Sequence, residues 1–260
     1  MINKDELTVE HILLVMKALG KFHAVSFAMK DQKPHHFRKN VVKNLGEHFY
    51  RHGHNLDLAR MINGAAMNVI NSITDDDDDD LLEAVLKLYE REQYDMMVNC
   101  VDGNEAEPYS VVIHGDLWSK NTLFQCNDEN VPEKVCFIDW QMCRYASPVL
   151  DILYFIFLNT TRELRGRNYN IYLKTYYQSL SRHLIRLGSD PVDVFPFSAL
   201  HEQLQKFGKF ALIQTSFLLP ILMAEADLQS DNNNGSTELS DDTKNVLRDI
   251  ALDIYKLGYI

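Results

Sequence analysis

The 260 residues include 46% hydrophobic side chains, enough for one sizeable buried core. The formal net charge is −11 and the sequence shows no basic cluster, which argues against nucleic acid or an anionic membrane as partner, because both need Lys and Arg gathered on one face. The four cysteines, Cys100, Cys126, Cys136 and Cys143, have no C-x-x-C spacing, which disfavours zinc and a disulfide framework and leaves free, buried thiols.

Apolar steps at Ile12, Met16, Leu19, Phe22 and Phe27 predict an amphipathic helix over residues 7–29, ending before Pro34. His23 lies on or beside that stripe and reads as a satisfied core histidine. His35, His36, His48, His52 and His54 lack the i, i+4 spacing of a helical metal site and read as solvated. A second helix is expected over residues 57–73. The six acids at 75–80 repel one another and predict an exposed loop. They precede a helical segment over residues 81–98, whose dipole favours negative charge at its start. The N-terminus is acidic and has no apolar leader, and the most apolar stretch, residues 210–224, is interrupted by Gln214, Thr215, Ser216 and Pro220. A soluble, cytoplasmic protein is expected.

Residues 111–140 carry the chemistry. Val111, Val112 and Ile113 form a short β-branched strand that Gly115 breaks, so Asp116 sits at the strand's exit. Residues 122–125 and 135–138 read as two further strands joined by the turn-forming N-D-E-N-V-P-E, a hairpin. Antiparallel pairing would set Asn121 and Asp139 side by side, about 5 Å apart across the ladder. One carboxylate and one amide oxygen suit a hard cation such as Mg2+, whose shell substrate phosphates complete. Asp116 is left as a nearby free base. Each Asp alone reads better as a turn former, but a His-x-Asp, an Asn five residues on and an apolar strand ending in Asp together match the catalytic loop and metal-binding Asp of phosphoryl transfer. Trp118 reads as a packed aromatic.

Ser147-Pro148 then supplies a helix cap and a first-turn proline, with Asp151 in that first turn. A long helix is expected over residues 168–187, with Tyr169, Tyr172, Tyr176 and Tyr177 as a packing stripe from which one or two rings could face a greasy substrate. Another spans residues 200–228, kinked or interrupted near Pro220. A flexible linker covers 230–236, and a last helix covers 241–257.

H-G-D-L-W-S-K-N-T-L-F followed by F-I-D-W-Q resembles the choline and aminoglycoside kinase group of the protein-kinase-like superfamily, most closely the ecdysteroid kinase-like (CHK kinase-like) family. His-Gly-Asp stands where protein kinases have His-Arg-Asp, and Asp-Trp-Gln where they have Asp-Phe-Gly. K-F-H-A-V-S, residues 21–26, is similar to that family's Leu-His-Ala-x-Ser helix at the start of the larger lobe. The resemblance implies an α+β, mostly helical fold, a kinase-like C-terminal lobe over residues 1–260. Its parts are a helical segment (1–108), a catalytic loop with the metal-binding hairpin (109–141) and a substrate-side helical part (142–260). It implies ATP as co-substrate, Mg2+ held by Asn121 and Asp139, Asp116 as catalytic base, His114 and Asp151 ordering the loop, and a small-molecule hydroxyl acceptor, steroid-like in this family. No G-x-G and no strand Lys precede Asp116, so the chain is expected to lack the N-terminal lobe that grips the nucleotide. A truncated, non-catalytic binding or scaffold protein is the alternative reading. A metal-dependent hydrolase would need more protein ligands than one Asp and one Asn.

Overall fold

A computed structural model describes residues 7–53, 55–73, 79–229 and 239–260, with the side chains of 225–229 excepted. Its helices are α1 (Val9–Gln32), α2 (Pro34–Asn40), α3 (Leu56–Gly64), α4 (Ala66–Ile70), α5 (Asp79–Tyr89), α6 (Gln93–Val101), α7 (Val149–Asn159), α8 (Arg162–Leu187), α9 (Pro191–Val194), α10 (Phe197–Phe207), α11 (Lys209–Gln229) and α12 (Asp241–Lys256). The strands are β1 (Val111–Ile113), β2 (Thr122–Cys126), β3 (Pro132–Phe137) and β4 (Arg144–Ala146). The fold is thus mostly helical with two small antiparallel sheets, as the resemblance implied. The acids 75–78, the linker 230–236 and His54 lie outside the described residues.

At the centre stands α7, whose V-L-D-I-L-Y-F-I-F-L-N sequence is buried along its whole length. A helix apolar all round has to be enclosed on every side, and α1, α10 and α11 pack around it. By length and composition α1 is apolar enough to cross a membrane. Here its apolar side chains Ile12, Val15, Met16, Leu19 and Phe27 are enclosed by the fold, chiefly against α8. Gly20 permits that seam, since a Cβ there would lie 2.5 Å from the Tyr176 carbonyl oxygen and 2.8 Å from the Leu180 nitrogen.

The expected hairpin forms, with Thr122 opposite Phe137 and Phe124 opposite Val135. The other sheet pairs β1 with β4, Val112 opposite Tyr145. Three residues are too few to show a strand period, so β4 was not expected.

Several helix boundaries differ from expectation. Helix α2 follows Pro34 directly, with the proline at its permissive first position. Residues 57–73 form two helices divided at Ala65, next to Gly64, a weak helix former. The segment 81–98 is also two helices. The start of α6 gains an outside acceptor, Asn63 Oδ1, for the Tyr94 N–H at 2.9 Å. The stretch 200–228 breaks at Gly208, with α10 and α11 meeting at 50°, and not at Pro220, which lies inside α11. Proline frees the carbonyl four residues before it, and Asn68 Nδ2 donates to that Ser216 oxygen at 3.4 Å. Ser147 does not cap α7; its hydroxyl donates to Gln203 Oε1 at 2.6 Å. The cysteines are free, but Cys126 and Cys136 are exposed and only Cys100 is fully buried.

Gly20→Ala tests the seam. Helix propensity alone would stabilise the variant by about 1 kcal/mol. The clash is with α8 backbone, which cannot rotate away as a side chain can, and overpacking of this kind costs about 1–3 kcal/mol. The expected result is a net loss, read as a lower urea midpoint at unchanged slope.

Candidate functional site

The loop leaving β1 is fixed by backbone hydrogen bonds to one buried carboxylate. Asp151 Oδ2 accepts the His114 N–H at 2.7 Å, and Oδ1 accepts the Gly115 N–H at 2.8 Å. His23 Nε2 also lies 3.3 Å from Oδ2, while its Nδ1 lies 2.9 Å from the Tyr176 hydroxyl. One arrangement satisfies all three groups: Nε2–H donates to Asp151, and the Tyr176 hydroxyl donates to Nδ1. Burial pushes the Asp151 carboxyl up, but the hydrogen bond from His23 and the Gly115 N–H outweigh it and hold it below the usual carboxylate range. Gly115 has φ of +82°, and a Cβ there would stand 2.2 Å from the Met142 oxygen. Only glycine fits.

His23 is therefore a satisfied core histidine, as expected, and its partner is 128 residues away. Ser26, one turn later on α1, accepts the Val112 N–H at 3.2 Å. His23 and Ser26 of K-F-H-A-V-S thus reach the brace of the loop and strand β1.

His114 is fully buried. Its Nδ1 accepts the Asp116 N–H at 3.3 Å and its Nε2 lies 2.9 Å from the Ile138 oxygen, so the neutral Nε2–H ring satisfies both contacts. The Trp140 ring packs on it with centroids 4.5 Å apart and also meets Phe22 at 5.0 Å. The loop is thereby joined to the end of the hairpin.

Both oxygens of Asp116 are engaged. Asn121 Nδ2 donates to Oδ2 at 3.0 Å and to the Asp116 carbonyl at 2.8 Å. The Tyr154 hydroxyl donates to Oδ1 at 2.6 Å. Burial, and then the Asp116 charge, push the Tyr154 phenol far up, so it keeps its proton and acts as a donor. Asn159, at the end of α7, accepts the Ser119 N–H at 2.9 Å. Trp118 is half-buried against the core, with the Lys120 ammonium 5.1 Å from its ring centre.

Asp139 stands differently from the expectation. The register places Asn121 across from Ile138, whose N–H donates to the Asn121 oxygen at 3.0 Å. Asp139 lies one residue past the ladder, in a left-handed conformation with φ of 61°. It is exposed, and Gln141 Nε2 donates to its Oδ2 at 3.3 Å. The oxygens open to a cation are Asn121 Oδ1, whose amide nitrogen alone is bonded, and the Asp139 carboxylate. Among the described residues no group of three or more His, Cys, Asp and Glu could hold a metal. One carboxylate and one amide oxygen fit a cation that retains waters and phosphate ligands, as Mg2+ does, and fall short of a hydrolytic zinc site. His35, His36, His48 and His52 are exposed, away from any such group.

Sequence reasoning missed Tyr154 and Asn159, gave Ser26 no contact, and read His23 as a satisfied core histidine without naming its partners. The signal for the α7 pair was present. Asp151, Tyr154 and Asn159 are the polar-bearing residues of an otherwise apolar helix, and buried polar atoms need partners.

Asp151→Asn removes the charge that the brace is built around. The depressed carboxyl contributes stability that is present above its unfolded value near pH 4 and is lost as pH falls through its folded value. The variant is expected to be less stable at pH 7 by about 3 kcal/mol. The gap from wild type should close as pH drops below about 4, as followed by urea unfolding at a series of pH values. A gap independent of pH would contradict the ionised brace.

Two comparisons bear on this geometry. A 4-hydroxytryptamine kinase of Psilocybe cyanescens is 45% identical over 47 residues, 17% of this chain. The matched stretch spans 13% of that relative's length. The family model described as ecdysteroid kinase-like matches residues 1–189, well over half of the chain and inclusive of His23, the catalytic-type loop, the hairpin and α7. The chain belongs to the ecdysteroid kinase-like family.

Proposed function

We propose that the protein transfers a phosphoryl group from ATP to a hydroxyl of a small molecule, with ecdysteroid-like sterols as the acceptor class. The observation that carries the reading is the double engagement of Asp116 by Asn121 and Tyr154. A carboxylate fixed from two sides keeps one rotamer while a lone pair remains for an incoming hydroxyl. Asp116 would orient that hydroxyl and take its proton as the oxygen bonds to the terminal phosphorus of ATP and the bridging oxygen leaves with ADP. Asn121 and Asp139 would hold Mg2+, which when bound neutralises charge on the nucleotide phosphates. His114 and Asp151 keep the Asp116 backbone in place. The proposal includes a cytoplasmic location, since the reaction draws on ATP.

Family membership supports the sterol class. The name of the Psilocybe relative adds a hydroxylated indoleamine as a second acceptor to test, and the net charge of −11 suits an amine. The decisive assay incubates the full chain with γ-labelled ATP, Mg2+ and ecdysteroids, 4-hydroxytryptamine, choline and aminoglycosides in turn. Label on an ecdysteroid hydroxyl is expected. Turnover of aminoglycosides alone would sink the sterol assignment, and Mg-ATP binding without transfer to any acceptor would favour the non-catalytic reading.

Variants separate the roles. Asp139→Ala should lose Mg2+-dependent nucleotide affinity and turnover together, and Asn121→Ala more mildly, since a neutral amide contributes less to cation affinity. Asp116→Ala should keep nucleotide affinity by calorimetry while single-turnover transfer collapses. If Asp116→Ala loses Mg-nucleotide as badly as Asp139→Ala, the division between base and metal ligands is wrong.

Tyr154→Phe deletes one hydrogen bond to Asp116 and leaves the ring packing. A bond to a charged group contributes about 1.5–3 kcal/mol, so kcat should fall by roughly ten- to a hundredfold at unchanged KM for ATP. A rise in that KM with kcat intact would show that the phenol does not act through Asp116.

A further inference from the structure

Residues 11–30 of α1 and 164–187 of α8 contain no Asp or Glu, in a chain that carries 37 of them. These two acid-free stretches pack on each other. Their exposed edges form a groove of about 350 Å³ lined by Lys17 and Lys21 from α1 and by Ser179, Arg182, His183 and Arg186 from α8. No carboxylate lines it. Lys17, Lys21, Arg182 and Arg186 are all exposed and take part in none of the ion pairs among the described residues. The seam beneath them is fixed by the Gly20 approach and by the Ser179 hydroxyl, which donates to the Lys17 carbonyl at 2.6 Å. A basic cluster does exist, then, and the sequence hid it. Its members are spaced four apart on two helices, and more than 150 residues separate Lys21 from Arg182.

Four like charges in one concavity repel, and an anion between them removes that cost. The planar forks of Arg182 and Arg186 and the point charges of Lys17 and Lys21 are the donors that phosphate oxygens favour. Size and surroundings narrow the class. The volume suits a small ligand, and screening confines the attraction to within about 8 Å of the groove at physiological salt. A long polyanion or a flat anionic bilayer would extend past the groove onto a surface whose net charge repels it. We propose that the α1–α8 groove binds a compact, soluble molecule carrying two or more phosphate groups, at a site separate from Asp116, Asn121 and Asp139, none of which lines it.

The test titrates inorganic tripolyphosphate into the full chain by calorimetry at about 150 mM salt, with EDTA present so that no Mg2+ can carry polyphosphate to Asn121 and Asp139. Saturable binding at one site per chain is expected. Lys21→Glu with Arg182→Glu should weaken it at least about tenfold, because like charge then faces the ligand. Lys87→Glu, a single charge reversal on α5, should leave it unaltered. Lys21→Gln with Arg182→Gln, which leaves helix packing undisturbed, should give an intermediate loss and stands in if the reversed pair fails to fold. Equal affinity in wild type and the groove variants overturns the proposal. So does tighter binding to duplex DNA or to vesicles of anionic phospholipid than to tripolyphosphate, since either would make the groove part of a larger polyanion surface.

Discussion

A carboxylate in a protein interior costs several kcal/mol unless donors surround it, and at Asp151 those donors are the backbone of the candidate site. Its oxygens accept the N–H groups of His114 and Gly115, and His23 completes the shell. The dependence runs both ways. Without the carboxylate, two buried N–H groups of a tight loop would lack partners. Without that loop conformation, which Gly115 alone permits beside Met142, the carboxylate would be a buried charge with one donor. Local chain shape and buried electrostatics therefore fix each other, and α7 can be apolar almost throughout because its few polar groups all face this loop.

From that anchor the constraint spreads through contacts that are each modest. His114 passes it to the hairpin through Ile138, and Ile138 passes it to Asn121 through the ladder. Asn121 returns it to Asp116, where Tyr154 closes the circuit back to α7. Asp116 is thus held by a ring of hydrogen bonds that begins and ends on one helix. Such closed networks are worth more than the sum of their members, since no single side chain can relax alone.

The sequence displayed the local parts of this arrangement well. Gly115 after a β-branched run, the turn residues between β2 and β3 and the apolar stripe of α1 each announced their structure by composition or period. The joins were less visible. Asn121 and Asp139 flank the hairpin as spacing suggested, but one residue of register, which no pattern in a five-residue strand encodes, puts Ile138 and not Asp139 across from Asn121. The contact of His23 with Asp151, and the meeting of Lys21 with Arg182, are set by how α1 lies on α7 and α8. Nothing local to either residue reports a helix crossing. Pro220 failed as a breaker for a related reason, since Asn68, far off in sequence, takes the carbonyl that proline frees.

The contrast between Asp116 and Asp139 follows from where each sits in that ring. Asp116 is inside it, half-buried, with both oxygens bonded. Asp139 hangs outside, exposed, in a left-handed conformation that costs a non-glycine residue about 1 kcal/mol or more. Such a conformation persists only when its neighbours dictate it. Here the neighbours on both sides are pinned: Ile138 by the ladder and by His114, and Trp140 by tilted and edge-on ring contacts with His114 and Phe22 and by its indole N–H to the Phe137 oxygen at 3.1 Å. With both ends held, the intervening residue has little choice of direction, and its carboxylate is turned to solvent. Under the roles proposed above, Asp139 would stay hydrated until a diffusible, charged ligand arrives, and Asp116 would be immobile before it meets a hydroxyl at a fixed angle. Within 24 residues the chain encloses one aspartate in hydrogen bonds and strains the other into the open.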